Sequence, residues 1–253
     1  MAFNTASIAR VKNFYLKGVL AVYVVAFTSL YVQVQSLFGD NGVVPIRDYL
    51  SRSGPARGPL EPNLMSLAAK VGLSHGTFVE LACLVCIVIA FAGLFIRRLA
   101  NALSFGLLWY TYYSICSVGQ GFMSFHSDLL LLEVGFITIL LAPLVPSSRL
   151  SQSDHDHVTC FLIKWLVFRY FVTNVFSVYL DNDKSWYDMT AIPMVAQGVQ
   201  FPSLLSWQVY NFSPEHVRLY QAYEHAVKLC APFLFLFDLK YSRLIGFYTL
   251  VST

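Results

Sequence analysis

The sequence predicts an all-α fold, a polytopic transmembrane helical bundle of five or six spans with two long lumenal loops. Three observations predict it. Apolar side chains make up 57% of the 253 residues and charged ones only 12%, about half the charge of an ordinary globular chain. Mean hydropathy is +0.59, and the apolar residues fall in blocks long enough to cross a hydrocarbon core about 30 Å thick. Between the blocks lie stretches rich in turn residues, two of them long and the others short.

The elements follow in order as one transmembrane domain over 1–253. Arg10 and Lys12 precede an apolar run over 15–38. That run is long enough to span, lacks a small-residue cleavage site and ends near Gln33 and Gln35, so it is read as a retained first helix. A loop over 39–77 follows, punctuated by Gly39, Asp40, Asn41, Gly42, Pro45, Pro55, Gly58, Pro59 and Pro62. The second and third spans, 78–96 and 99–122, are joined at Arg97 and Arg98. The fourth, 129–145, begins after a short turn over 123–127, and the fifth, 159–179, follows a polar connection over 147–158. A second long loop over 180–225 carries Trp186, Trp207 and three prolines. A weaker sixth span, 226–236, closes the set. The apolar stretch over 244–251 is too short to cross alone; it extends the sixth helix or begins a seventh, and the end reads as truncated.

Orientation rests on Lys and Arg near the helix ends. A cytosolic N terminus places Arg10, Lys12, Arg97, Arg98, Arg149, Lys240 and Arg243 on the cytosolic side. The opposite side holds a similar number spread over far longer loops. Asn211-Phe-Ser213 is a glycosylation acceptor in the second long loop, which agrees with a lumenal placement. The formal charge of +3 is spread along the chain, so nucleic acid is not an expected partner, whereas membrane lipid is. The five cysteines all lie in or beside apolar runs. Cys83 and Cys86 have the CxxC spacing, but mid-helix in lipid, with no cation to lower a thiol pKa, they are read as packing residues.

The stretch from Trp109 to Pro146 is the most informative, because it puts His126, Asp128 and Glu133 at the start of an apolar run. A carboxylate costs roughly 2.5–3.5 kcal/mol at the centre of a membrane helix, so it normally faces protein, a partner or a watery cavity. Asp128 fits the first turn of the fourth helix, where an acid satisfies free amides and the dipole. Glu133 lies too deep for that and is expected to pair with Arg169, or with Lys164, of the fifth helix. Lys164 and Arg169 project about 140° apart at 100° per residue, and Arg169, mid-span, is the better partner. Lys164 can snorkel towards the cytosolic end. His126 could pair with Asp128 or simply be solvated, and Asp154, His155, Asp156 and His157 read as a wet loop. His216, His225 and Glu224 are too scattered to form a site.

Trp109, Tyr110, Tyr112 and Tyr113 form an aromatic cluster, read as packing. Gly119 and Gly121 are expected to permit close helix approach, and Gln120 to hydrogen-bond across helices for about 1–2 kcal/mol. Trp186, Tyr187, Trp207 and Phe212 suit either an interfacial cap or a hydrophobic client surface. The acid–histidine group leaves two rival functions open. One is a membrane enzyme related to multi-helix carboxylases, using His126, Asp128 and Glu133 as acid–base groups. The other is a transporter with Glu133 on an ion path. No clear nucleophile, metal set or phosphate-binding loop accompanies them, and no cofactor is expected.

Several blocks, taken in order, resemble the lipase maturation factor family. They are FYLKGVLAVYVVAFTSLYVQVQSLFGDNGVVPIRDYL, SVGQGFMSFHSDLLLLEVGFITILLAPL, KWLVFRYFVTNVFSVYL, WYDMTAIP and PSLLSW. The resemblance covers nearly the whole chain and corresponds to the family's N-terminal membrane half, without its large lumenal C-terminal domain. It implies a multi-pass protein of the endoplasmic reticulum membrane that assists folding and assembly of secreted lipases without catalysis. Its partners would be those lipases and other folding factors of that compartment. The matching positions are Trp109, Gly119, Gln120, Asp128, Leu131, Glu133, Gly135, Phe136, Trp165, Arg169, Trp186, Thr190, Pro202 and Trp207. Two departures stand out. Where the family typically shows a Tyr-His-aromatic-Glu-Thr-Gln run after Thr190-Ala191, this chain reads MVAQGV, and it has Lys228 where an acidic residue usually enters the sixth helix.

Overall fold

Apolar residues at heptad-like spacing build the first helix pair. In the computed structural model, α1 (Thr5–Phe38) buries Leu16, Leu20, Tyr23, Phe27, Leu30, Val34 and Phe38 on one face. The partner helix α3 (His75–Phe95) answers with Val79, Cys83, Cys86, Ala90 and Gly93. Both series advance by steps of three or four, the spacing that keeps one seam facing a neighbour. Cys83 and Cys86 are two steps of that seam, which accounts for their spacing. The helices run antiparallel: Leu20 packs against Gly93 at one end, and Gln35 Nε2 donates to Glu80 Oε2 at 2.6 Å at the other.

The structure describes residues 5–39, 41–53, 64, 68, 72–123, 125–144, 156–180, 184–188, 190–198, 207–208, 211–236 and 240–251. Among these, every regular element is helical. The chain divides into two compact units, Met1–Cys160 and Phe161–Thr253.

In the first unit the seam continues through α4 (Ala102–Val118) and α5 (His126–Leu141), which pair as a hairpin. Asn101 caps α4 by accepting the amide of Ser104 at 2.9 Å, and Ser74 caps α3 by accepting that of Thr77 at 3.2 Å. Each satisfies an amide that the helix itself cannot. The helix α2 (Ile46–Ser53) touches α3 and α4; its Ile46 is buried and its Tyr49 hydroxyl reaches the Ser117 carbonyl at 3.5 Å. The bonds Ala102 N–H to Pro143 O (3.0 Å) and Tyr15 to Thr138 (3.2 Å) close the end that also carries the Arg97–Leu99 turn.

The second unit contains most of α6 (Asp156–Leu180), then α7 (Lys184–Tyr187), α8 (Ala191–Gly198), α9 (Pro214–Leu236) and α10 (Lys240–Val251). Phe168 meets Phe233 edge-on at 4.8 Å, and α10 packs along α9. The second long connection is therefore shorter than the 180–225 expected, because Pro214 starts a helix in which Val217 and Gln221 already face inward. A proline suits that first position, where its missing N–H costs nothing. The stretch over 244–251 belongs to α10, a helix of its own.

Among the described residues, three helical segments are long and apolar enough to cross a membrane: Arg10–Phe38, His75–Phe95 and Asp156–Leu180. Outward-facing apolar side chains on them, such as Val25, Val88 and Phe176, suit a lipid surrounding. The third and fourth expected spans are shorter than their apolar runs. With 17 and 16 residues, α4 and α5 stand at the short end of the roughly 17–25 residues of a crossing helix. Asn101 delays the start of α4, a 3-10 turn over Gln120–Met123 ends it, and Pro143 holds Ala142 extended at the end of α5.

Candidate functional site

The α4–α5 hairpin concentrates the polar groups of the first unit. Asp128 stands in the first turn of α5, as its position predicted, but the residue at the cap itself is Phe125, which makes no side-chain cap bond. The Asp128 carboxylate instead accepts the Tyr112 hydroxyl of α4 at 2.6 Å. Tyr112 is buried edge-on between Phe27 at 5.7 Å and Tyr23 at 6.3 Å. One turn away, Trp109 Nε1 donates to the Leu132 carbonyl of α5 at 2.8 Å, while its ring stacks on Tyr113 and tilts against Phe136. The aromatic cluster is thus packing and also a pair of polar rivets across the hairpin. His126 is exposed in the same turn.

Gly135 lets α1 sit against the hairpin. A Cβ there would overlap the Tyr23 hydroxyl and crowd Trp109 Cδ1, and Tyr23 itself is fully buried. Gly119 works differently from the expectation of helix approach: a Cβ would overlap the Met123 side chain of its own turn. A Cβ at Gly121 would meet nothing within 4 Å, so that residue does not serve close approach either. The Gln120 side chain lies outside the described residues.

Beside Asp128, α1 and α5 leave an open groove of about 420 Å³. Ala21, Val22, Val25 and Ala26 of α1 form one wall and Leu131 of α5 the other. Tyr112, Ser127 and Asp128 supply its polar end.

A second polar contact was not foreseen. Lys12 Nζ donates to Asp156 Oδ1 at 2.8 Å, with Lys12 8% and Asp156 1% exposed. This corrects the reading of Asp154–His157 as a wet loop at Asp156, which begins α6 and is buried. His157 is exposed, and Asp154 and His155 lie outside the described residues. The signal available was an acid just ahead of an apolar run, a helix-start pattern. Glu80 was likewise missed, though it is an acid inside an apolar run.

Glu133 is half-buried on α5, and Lys164 and Arg169 lie on α6, half-buried and exposed respectively. In the second unit, Trp186 and Trp207 have opposite surroundings. Trp186 is half-buried against His225 at 5.7 Å, and its carbonyl accepts from Gln221 Nε2 at 3.2 Å. Tyr187 and Tyr179 complete that cluster, joined by the Tyr187 hydroxyl and the Tyr179 carbonyl at 2.7 Å. Trp207 is 69% exposed, with Phe212 exposed nearby in sequence. Asn211 lies in an exposed turn, its Nδ2 donating to the Trp207 carbonyl at 2.8 Å. Lys228, the departure at the sixth helix, pairs with Glu224 one turn earlier. Thr190 is exposed and Pro202 lies outside the described residues, as does Val199 at the end of the divergent run. Among the described residues no group of three His, Cys, Asp or Glu could hold a metal ion.

Comparison with known proteins gives the family. The family model described as the lipase maturation factor transmembrane domain matches residues 10–253. Lipase maturation factor 2 of Homo sapiens is 29% identical over 252 residues, covering 95% of this chain and 36% of the relative. The Gallus gallus protein of that name is 31% identical, covering 94% and 34%. Lipase maturation factor 1 of Homo sapiens is 27% identical, covering 88% and 40%. The chain thus spans little more than a third of the length of these relatives. No solved structure matches. The chain belongs to the lipase maturation factor family.

Proposed function

We propose that this chain, as a member of that family, is a membrane-embedded part of an endoplasmic reticulum factor that helps secreted lipases fold and assemble, acting by binding and not by turnover. The observation that carries the reading is the match of a lipase maturation factor transmembrane domain to residues 10–253. The site supports it in a second way. Tyr112–Asp128, Trp109–Leu132 and Lys12–Asp156 each join two helices, which is the work of a scaffold.

The orientation proposed has a cytosolic N terminus, with five or six crossings and both long connections in the lumen. It is supported by the charges at one end of the first unit, where Lys12 and the Arg97–Arg98 turn lie. The exposed Asn211 turn would then be open to glycosylation. From sequence, Glu133 and Arg169 are proposed as an intramembrane charge pair that stabilises the bundle. Charge exchange tests that pairing: Glu133→Arg with Arg169→Glu should restore expression that either change alone lowers.

The direct test is secretion of active lipase from cells lacking their own maturation factor, with this chain added back. Rescue is expected for the native chain and loss for Glu133→Gln. Normal expression in the endoplasmic reticulum without any rescue would overturn the proposal that this region supports maturation. A glycosidase-sensitive mass shift that vanishes in Asn211→Gln checks the lumenal placement separately.

A further inference from the structure

We infer that the end of the α1–α3 pair marked by Arg97 and Arg98 binds the headgroup of an anionic phospholipid, whose acyl chains lie along the outer face of α3. The inference rests on the transmembrane character of the first unit. It is independent of the lipase role and holds whichever side of the membrane that end faces.

Position comes first. Among the candidate spans α3 is the most apolar. It ends at Phe95, where Ile96 turns extended, and the Arg97–Leu99 turn follows at once. The end of a crossing helix lies at a membrane surface, where lipid headgroups are. A third cation comes from α1. The contact of Leu20 with Gly93 and the bond of Gln35 to Glu80 fix the antiparallel register. Carried one turn past Leu20, that register sets Lys17 level with Arg97.

Charge comes second. Arg97 and Arg98 are exposed and Lys17 is half-buried. Among the described residues no acid bonds to any of these three side chains. The described acid at that end of the first unit is Asp156, which Lys12 already holds at 2.8 Å. The last carbonyls of α3 offset only about half a charge. A positive excess therefore remains, and a guanidinium can grip a phosphate through two parallel N–H donors.

An apolar stripe decides between a lipid and a soluble anion. Leu84, Val88, Phe91 and Phe95 are exposed at steps of four, three and four along α3, so they share one outer face. Phe91 and Phe95 meet edge-on at 5.2 Å, and Phe95 is 73% exposed. The stripe is about 16 Å long at 1.5 Å per residue, close to the roughly 15 Å of hydrocarbon in one leaflet. It ends at the arginines. A soluble phosphate or an acidic peptide would use the charges and leave the stripe idle, whereas a phospholipid uses both.

The test is native mass spectrometry of the full chain in detergent, titrated with phosphatidylserine or with phosphatidylcholine of the same acyl chains. The first phosphatidylserine should bind about tenfold more tightly than phosphatidylcholine, because each basic group beside an anionic headgroup is worth several-fold. Arg97→Gln with Arg98→Gln should bring the two lipids within about twofold while leaving thermal unfolding unchanged. Arg97→Lys with Arg98→Lys should keep most of the preference. Phe91→Ser with Phe95→Ser should weaken both lipids alike. Equal binding of the two lipids by the native chain, or a preference that survives Arg97→Gln with Arg98→Gln, overturns the inference. So does lipid binding indifferent to the two phenylalanines, or soluble glycerophosphoserine binding as tightly as the lipid, which would make the occupant a free anion.

Discussion

The two units of this protein are built from equally apolar sequence and use it differently. In Met1–Cys160, buried residues from Leu16 to Ala142 join into one core across α1, α3, α4 and α5. Among the described residues of Phe161–Thr253, inward positions such as Leu166, Val175, Val217 and Ala231 are few, whereas Leu180, Trp207, Leu219, Tyr241 and Tyr248 face outward. The fraction of apolar residues does not reveal this difference, because lipid and protein interior are equally apolar neighbours for a leucine. The contrast teaches that the first unit is held by its own contacts and that the second offers its apolar surface to its surroundings.

The sharpest way to break the comparison is to attack the buried ion pair of the first unit. Lys12→Ala should cost up to about 3–5 kcal/mol, because it removes the ammonium group bonded to the buried Asp156 carboxylate. Lys12→Met with Asp156→Leu should recover most of that loss, since the pair as a whole is replaceable by apolar packing. Thermal unfolding in detergent, followed by fluorescence-detected size exclusion, reads both. Next comes Gly135→Val, which forces a side chain into Tyr23 and Trp109 and should cost about 3 kcal/mol by overpacking. If it proved neutral, the tight α1–hairpin contact would be wrong.

Tyr112→Phe is smaller, about 1.5 kcal/mol, the value of a hydrogen bond to a charged group. The same assay should show the loss, and a smaller loss in Asp128→Asn, whose neutral amide oxygen still accepts, would attribute it to that bond. Smallest is Trp207→Ala in the second unit, expected within about 0.5 kcal/mol, as for an exposed side chain with no special role in the fold. Trp186→Ala, in the cluster with His225, should cost measurably more. Equal losses for the two tryptophans would erase the distinction drawn between inward and outward aromatics.

Local patterns were legible from the residues alone. Five of the apolar runs became helices near their expected places, Asp128 fell in the first turn of its helix, and the order of the blocks pointed to the family. What was misread has a common origin. The loop ending at 213 and not 225 turned on Pro214 starting a polar helix, which hydropathy passes over. Gly119 and Gly135 differ in role although both are glycines beside apolar residues, because only a neighbour in space decides which Cβ has room.

Composition and period determined helices, and with them the membrane, because every backbone amide in lipid must be satisfied within its own segment. Those rules reach about four residues along the chain. Lys12 and Asp156 lie 144 positions apart and Tyr112 and Asp128 lie 16 apart. Such pairs exist only once helices dock. Tertiary structure alone decided which charges are buried together and which aromatic became a rivet.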